Sequence, residues 1–336
     1  MNWDTLCYSI ATFIAGIFVL DYGADKFIDH TVILGRRFGI SPTLIALLTA
    51  GAEYEELAVI IASILQDRTP LALGNVMGST ISNILGAFSL GLVCHPEKIH
   101  IDSSAKIYSS ILSAVATLFV VLAYFQQLNR VTGGLLIAGF ILYLVSIGVA
   151  IYLGVQEPLE GDIDGNSDSD SDSENEESEN SPLLNRRPPK RAIRHIFQLV
   201  LGLLALSLSG YILAHSAGSI ADCLHLSGTV FGLTVIAFAT TLPEKLVAVV
   251  SSSRGEGGII VAATAGSNIF LLTLCMGIIA VVGIPDNRTD TFIWVDLLVV
   301  WLSSLSFTAV VFLGPSRLVG LVFLAAYIVY IVMRLV

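Results

Sequence analysis

Apolar stretches of roughly 20 residues or more, the length a helix needs to cross a hydrocarbon core of about 30 Å, recur along nearly the whole chain. Ten can be read, with cores at 7–30, 40–65, 70–94, 107–127, 131–153, 196–220, 227–253, 258–283, 291–313 and 315–335. Only 13% of the residues are charged and the mean hydropathy is +0.81, whereas soluble domains carry about 25% charged residues. The pattern argues against a soluble fold. It predicts an all-α, multi-pass integral membrane protein with ten transmembrane helices.

The formal charge of −10 does not describe that membrane part. Residues 155–185 hold 11 of the 27 acids and no base, leaving 16 acids against 17 Lys and Arg elsewhere. The region from 155 to 194, which includes GDIDGNSDSDSDSENEESEN, is poor in apolar residues and dense in like charge, so it is expected to be a disordered tether. The chain then divides into a first five-helix half at 1–154, the acidic linker at 155–194 and a second five-helix half at 195–336. Counting Lys and Arg in the loops favours an outside amino terminus by 11 inner to 4 outer. Both termini would be lumenal or extracellular and the linker cytosolic. The linker's Ser residues among Asp and Glu suit an acidophilic kinase. Glu179 followed by Leu183 and Leu184 has the form of an acidic dileucine signal, read by a sorting adaptor and pointing to a vacuolar, lysosomal or other endomembrane; the plasma membrane stays open.

Some features are bland. Cys7, Cys94, Cys223 and Cys275 have no metal or redox spacing and read as packing residues. The first apolar stretch is long and has no cleavage pattern, so it reads as a signal anchor. The histidines form no metal spacing, Asp296 has no repeat partner, and Asp21, Asp25, Lys26 and Asp29 near the end of the first stretch suit local pairing or interfacial anchoring. Neither an enzyme nor a nucleic-acid binder is indicated: no nucleophile–base pair, phosphate-binding loop or sizeable soluble domain is present.

The halves repeat one another. At an offset of 188 residues Glu56 meets Glu244, Val59 meets Val247, Ser63 meets Ser251, Gly78 meets Gly266, Ser79 meets Ser267 and Ile81 meets Ile269. Upstream, Ser41, Thr43 and Leu47 match Ser227, Thr229 and Leu233 at 186. Five spans per half is an odd number, so the second half must enter the membrane from the opposite side: the repeats are expected to be inverted, with a site near the midplane where broken helices meet. Pro243, within ATTLPE, removes a backbone hydrogen bond and frees a carbonyl able to ligate a cation. The matching GAEYEE at 51–56 has Gly51 but no proline, and a break there is less marked.

A carboxylate deep in hydrocarbon is costly and marks an ion path or proton relay, and Glu56 and Glu244 each fall near the middle of an apolar span. Calcium takes about six to eight oxygen ligands. Such a set is available from Glu56, Glu244, the hydroxyls of Thr240, Thr241, Ser79 and Ser267 and the amide of Asn83; helical spacing puts Thr240 and Thr241 on the face of Glu244, and Ser79 on that of Asn83. Two carboxylates are balanced by one divalent ion, by monovalent ions or by protons, which is the basis of exchange.

These residues resemble the calcium/cation antiporter superfamily, the sodium/calcium exchangers in particular, whose two repeats typically read GTSxPE and, about 22 residues later, GNVVGSN. ATTLPE (239–244) with Gly266-Ser267-Asn268 is similar to the second motif, and GAEYEE (51–56) with GNVMGS (74–79) to the first, within segments 227–283 and 40–94; Gly23-Ala24-Asp25 resembles the family's first helix. The resemblance covers the full ten-span plan. It implies Glu56 and Glu244 as shared calcium and sodium ligands, Thr240, Thr241, Ser79, Asn83 and Ser267 as contributors, and secondary active exchange of calcium for sodium by alternating access, with inorganic cations as cargo and no resident cofactor. The chain departs from the pattern at Ala52, Glu53 and Glu55, at Leu271 where an acid is common, and at Lys245. Glu53 shares a face with Glu56 and either adds a ligand or holds a proton; Lys245 either substitutes for a cation or snorkels away. Exchange of calcium or another metal for protons, and an ion-binding sensor or scaffold that no longer transports, stand as alternatives.

Overall fold

A computed structural model describes residues 3–37, 53–94, 103–152, 189–253, 257–283, 294–314 and 316–335, and among these every regular element is helical. In chain order they are α1 (Trp3–Arg37), α2 (Tyr54–Leu65), α3 (Thr69–Cys94), α4 (Ser103–Tyr124), α5 (Arg130–Tyr152), α6 (Pro189–Leu224), α7 (Gly228–Thr240), α8 (Leu242–Ser253), α9 (257–282), α10 (Trp294–Leu313) and α11 (Arg317–Leu335). Eight of the described helices are long and apolar enough to cross a membrane, and nine if the bent pair α7–α8 is one span. The stretch expected at 40–65 is represented by the 12-residue α2 alone. Its first part, with Ser41, Thr43, Leu47 and Gly51, lies outside the described residues, as do most of the acidic linker and its Leu183–Leu184 pair.

The bundle is organised around α3 and α9. In their spanning windows 89% and 72% of residues are buried, against 22–39% in the other long helices. Those outer helices present large apolar side chains outward, among them Phe18, Leu142, Leu204 and Leu318, the inverse of a soluble surface and what a lipid-facing shell requires.

Small residues fix how the helices meet. A Cβ on Gly74 would lie 2.1 Å from the Thr229 carbonyl oxygen, one on Gly78 2.2 Å from that of Leu233, and one on Gly232 2.3 Å from that of Leu71. The backbones of α3 and α7 therefore touch, running in the same direction, at a crossing only glycine permits. The helices α1 and α6 pair antiparallel: Thr12 and Ser216 hydroxyls are 2.9 Å apart, Gly23 abuts Leu206, Gly202 abuts Phe27, and the His30 and His195 rings meet edge to face. A second antiparallel pair is α4 with α10, tied by Ser113–Thr308 at 2.7 Å and by the Trp301 indole donating to the Thr117 hydroxyl at 3.0 Å.

Irregular helical turns stand near the motif residues. Ser227 caps α7 by accepting the Val230 N–H at 3.2 Å, and α7 ends at Thr240, where the chain bends by 43° into α8. Pro243 sits in the first turn of α8, where its missing N–H leaves no intrahelical bond broken. The counterpart of Thr241 at the 188-residue offset is Glu53, which precedes α2 in a non-helical conformation (φ −80°, ψ 82°). π-helical turns occupy Ser82–Phe88 of α3 and Leu271–Cys275 of α9, corresponding places that follow Ser79 and Ser267. Such wide turns are rare and frequent at functional sites.

Candidate cation site

A cavity of about 310 Å³ opens where α2, α3, α8 and α9 converge, and its wall includes Glu53, Asn83, Glu244 and Ser267. Both halves of the chain thus contribute to one chamber. Glu53 and Asn83 are joined directly, the Asn83 amide donating to Glu53 Oε1 at 2.7 Å. Glu244 stands opposite them in sequence but shares the same wall, with Pro243 beside it.

Glu56 is fully buried, one helical turn from Glu53, and neither of its carboxylate oxygens has a hydrogen-bond partner. Its charged neighbours are Glu53, Glu244 and Glu55. Ser79 Oγ, Glu53 Oε2, Glu244 Oε2 and Asn83 Oδ1 are likewise buried and unpartnered. Buried polar groups are normally satisfied, and burying bare carboxylates is prohibitive unless something positive offsets them. This concentration of spare acceptor oxygens is the chemistry of a cation site. Among the described residues no three His, Cys, Asp or Glu side chains are arranged to hold a metal by themselves, so a bound ion would share carboxylates with neutral oxygens.

The two threonines are placed differently. Thr240 is buried and its hydroxyl donates to the Ile236 carbonyl at 3.1 Å. The Thr241 hydroxyl faces Ser82, 2.8 Å away, and accepts from the Lys245 ammonium. Lys245 does not reach outward for water. It is buried and turned inward, donating also to the Ser82 hydroxyl at 2.8 Å and the Thr241 carbonyl at 3.1 Å. The snorkelling expectation is corrected: an oxygen cage at the α7–α8 break holds the ammonium more closely than any route to the surface.

Glu55, Ser251 and Thr264 also line the cavity, and Asn75 of α3 and Asn268 of α9 are buried with unpartnered side-chain oxygens. These were not selected from sequence, although Ser251 matched Ser63 across the repeat and Asn268 completes the Gly-Ser-Asn triplet. Ser82 and Tyr327, which donates to the Ser82 hydroxyl at 2.8 Å, carried no signal because their meeting depends on a packing 245 residues apart. Asp296 belongs elsewhere: it accepts from Tyr330 at 2.8 Å and pairs with Arg334 at 2.9 Å, locking α10 to α11.

Known proteins resemble this chain in sequence and in fold. The model of the family described as sodium/calcium exchanger protein matches residues 8–149 and 194–336, one segment in each half. Similar proteins include the inner membrane protein YrbG of Escherichia coli, 28% identical over 330 residues, covering 96% of this chain and 95% of that one. The putative antiporter CaxA of Alkalimonas amylolytica is 29% identical over 282 residues and 81% of each chain. The sodium/calcium exchanger MaX1 of Methanosarcina acetivorans is 29% identical over 289 residues, 78% of this chain and 80% of its own. Among solved structures, the sodium-calcium exchanger NCX_Mj soaked with 2.5 mM Na+ and 10 mM Sr2+ superposes with a TM-score of 0.60 at 22% identity, over 97% of this chain and 99% of that chain.

Proposed function

The chain belongs to the sodium/calcium exchanger protein family, a family of cation antiporters, and from that premise we propose that it carries calcium across a membrane in exchange for sodium by alternating access. The observation that carries the proposal is the pair of Glu56, fully buried with both carboxylate oxygens unpartnered, and the half-buried Glu244, whose Oε2 is buried and unpartnered, one from each half. In this reading calcium is bound by these two, with Ser79, Asn83, Ser267 and Thr240 as neutral donors and Glu53 as a third carboxylate. Thr241 contributes by holding Lys245.

Ten spans in two inverted five-helix repeats are part of the same proposal. Support comes from pairs that correspond between halves and run antiparallel, α1 with α6 and α4 with α10, and from the matching π-helical turns. An inverted repeat lets the site face either side by rocking one bundle against the other. An empty set of carboxylates cannot cross the occluded state cheaply. Exchange follows because only the cation-loaded carrier passes.

A second reading has a specific observation behind it. Glu53, where the family motif has a serine, puts an additional carboxylate into the cavity wall, and a carboxylate is a proton carrier. Proton-coupled exchange of calcium or another metal is the outcome it favours. Radiolabelled calcium uptake into liposomes, driven in turn by outward sodium and proton gradients, separates the two. Uptake with sodium alone supports the first reading and uptake with protons alone the second. Binding without flux under either gradient would make the protein a sensor or scaffold and refute both.

We further place both termini on the lumenal or extracellular side, and the acidic linker in the cytosol as a target for a kinase and a sorting adaptor at an endomembrane. Imaging a Leu183→Ala, Leu184→Ala variant tests the address. An unchanged location would remove the adaptor from the account.

A further inference from the structure

Lys245 poses a problem that the exchange reading does not solve. It follows Glu244 in the chain, is 7% exposed, and sits among carboxylates without touching one. Among the described residues, all of its hydrogen bonds go to neutral oxygens: the Ser82 hydroxyl, the Thr241 hydroxyl and the Thr241 carbonyl. An ammonium has three protons to donate, and three acceptors receive them. Tyr327 braces Ser82 from behind. The Phe238 ring centroid lies 4.9 Å from Nζ, a cation–π distance that closes another side. The aliphatic stem lies over Gly86, in the π-helical turn of α3, where a Cβ would come 3.3 Å from Lys245 Cε. The carbonyl at a helix break, two hydroxyls and an aromatic face make the surroundings of a desolvated monovalent cation. Here the cation is covalently attached.

The first half carries the complementary change. At the 188-residue offset the counterpart of Thr241 is Glu53, which faces the same cavity as Glu244 and is held by Asn83. One repeat has gained a negative charge at the turn where the other, four residues on, has gained a positive one. Lys245 has Glu244, Glu56 and Glu53 as its charged neighbours, so its charge acts on the site through a few ångströms of poorly screening interior.

Resting on the reading of Glu56 and Glu244 as a cation site, we propose that Lys245 is a tethered cation that fills a monovalent-ion subsite formed by Ser82 and Thr241 and offsets the charge added by Glu53. It is a residue that sets how many free ions the site takes. Removing the ammonium leaves an oxygen cage beside uncompensated carboxylates, and a free monovalent ion takes its place.

The test measures thermal stability of the purified full chain in detergent, with sodium chloride titrated against choline chloride at constant ionic strength, and calcium chloride in a parallel series. Lys245→Met should acquire a saturable sodium-dependent rise, about 2–4 °C at ten times the half-saturating concentration, with a Hill slope about one unit above that of the wild type. Glu53→Gln/Lys245→Met, which removes both charges, should lose that extra sodium dependence. Should Lys245→Met fail to fold, recovery of folded protein in the double variant supports charge compensation. Failure of the double variant to fold as well would make Lys245 a plain packing residue and overturn the proposal. The same follows if Lys245→Met responds to sodium as the wild type does, or if the double variant keeps the gain. A wild type that calcium does not stabilise would instead sink the reading of the site itself, so the two failures are told apart.

Discussion

The crossing of α3 and α7 makes a quantitative demand on Gly78. A Cβ there would lie 2.2 Å from the Leu233 carbonyl oxygen, 2.6 Å from the Ala237 Cβ and 2.7 Å from the Leu233 carbonyl carbon. Two of those three atoms are backbone, so no rotamer change relieves the clash. Restoring ordinary contact at about 3.4 Å requires the two helices to separate by roughly 1 Å, and forced overpacking of this kind costs about 1–3 kcal/mol. Gly139 on α5 provides the control, since a Cβ added there meets nothing within 4 Å, and Gly→Ala in an unobstructed helix gains about 0.5–1 kcal/mol. That gain is common to both helical positions and cancels, so Gly78→Ala should be about 1–3 kcal/mol less stable than Gly139→Ala, measured by reversible denaturation in mixed micelles. The functional penalty should be larger than the stability loss suggests. Ser79 and Asn83 ride on the displaced stretch of α3, and misplacing site groups by about 1 Å can cost on the order of 100-fold. Equal stability of the two variants would refute the idea that backbone contact at this glycine holds the halves in register.

Other substitutions separate architecture from site. Asp296→Asn should destabilise by about 3 kcal/mol by stranding the largely buried Arg334, and Asp296→Asn/Arg334→Met should recover most of that loss in the same denaturation assay. Asp222→Asn should change stability by less than about 1 kcal/mol, because its pair with Arg68 is 68% and 31% exposed at the two side chains. Glu53→Gln keeps an oxygen to accept from Asn83 but removes a charge, so calcium affinity should fall roughly 10- to 100-fold with the fold intact, as measured by isothermal titration.

Much of this was legible before any coordinates, for identifiable reasons. Lipid tolerates only segments that are apolar along their whole length, so the long helices announced themselves. The acid-poor membrane part also made Glu56 and Glu244 conspicuous, and the repeat offset linked them. The same offset paired Ser79 with Ser267, helical spacing put Asn83 on the face of Ser79, and Ser267 and Asn83 both line the cavity. Two things were not legible. Pattern could not tell which way the Lys245 side chain turns, because burial against Ser82, Thr241 and Phe238 depends on helices far apart in sequence. Nor could it separate the roles of adjacent threonines: both hydroxyls donate back along α7, to Ala237 and Ile236, but only that of Thr241 also meets Ser82 and Lys245. Asp296, isolated in sequence, found its partners 34 and 38 residues on, across a helical hairpin.

The account turns on whether one ion is held jointly by Glu56 and Glu244. Equilibrium binding of radiolabelled calcium to the purified protein, compared with folded Glu56→Gln and Glu244→Gln variants, addresses that directly. The expected result is saturable binding by the wild type that either single substitution weakens by 100-fold or more. Binding that survives both substitutions unchanged would show that the ion, if there is one, sits somewhere else.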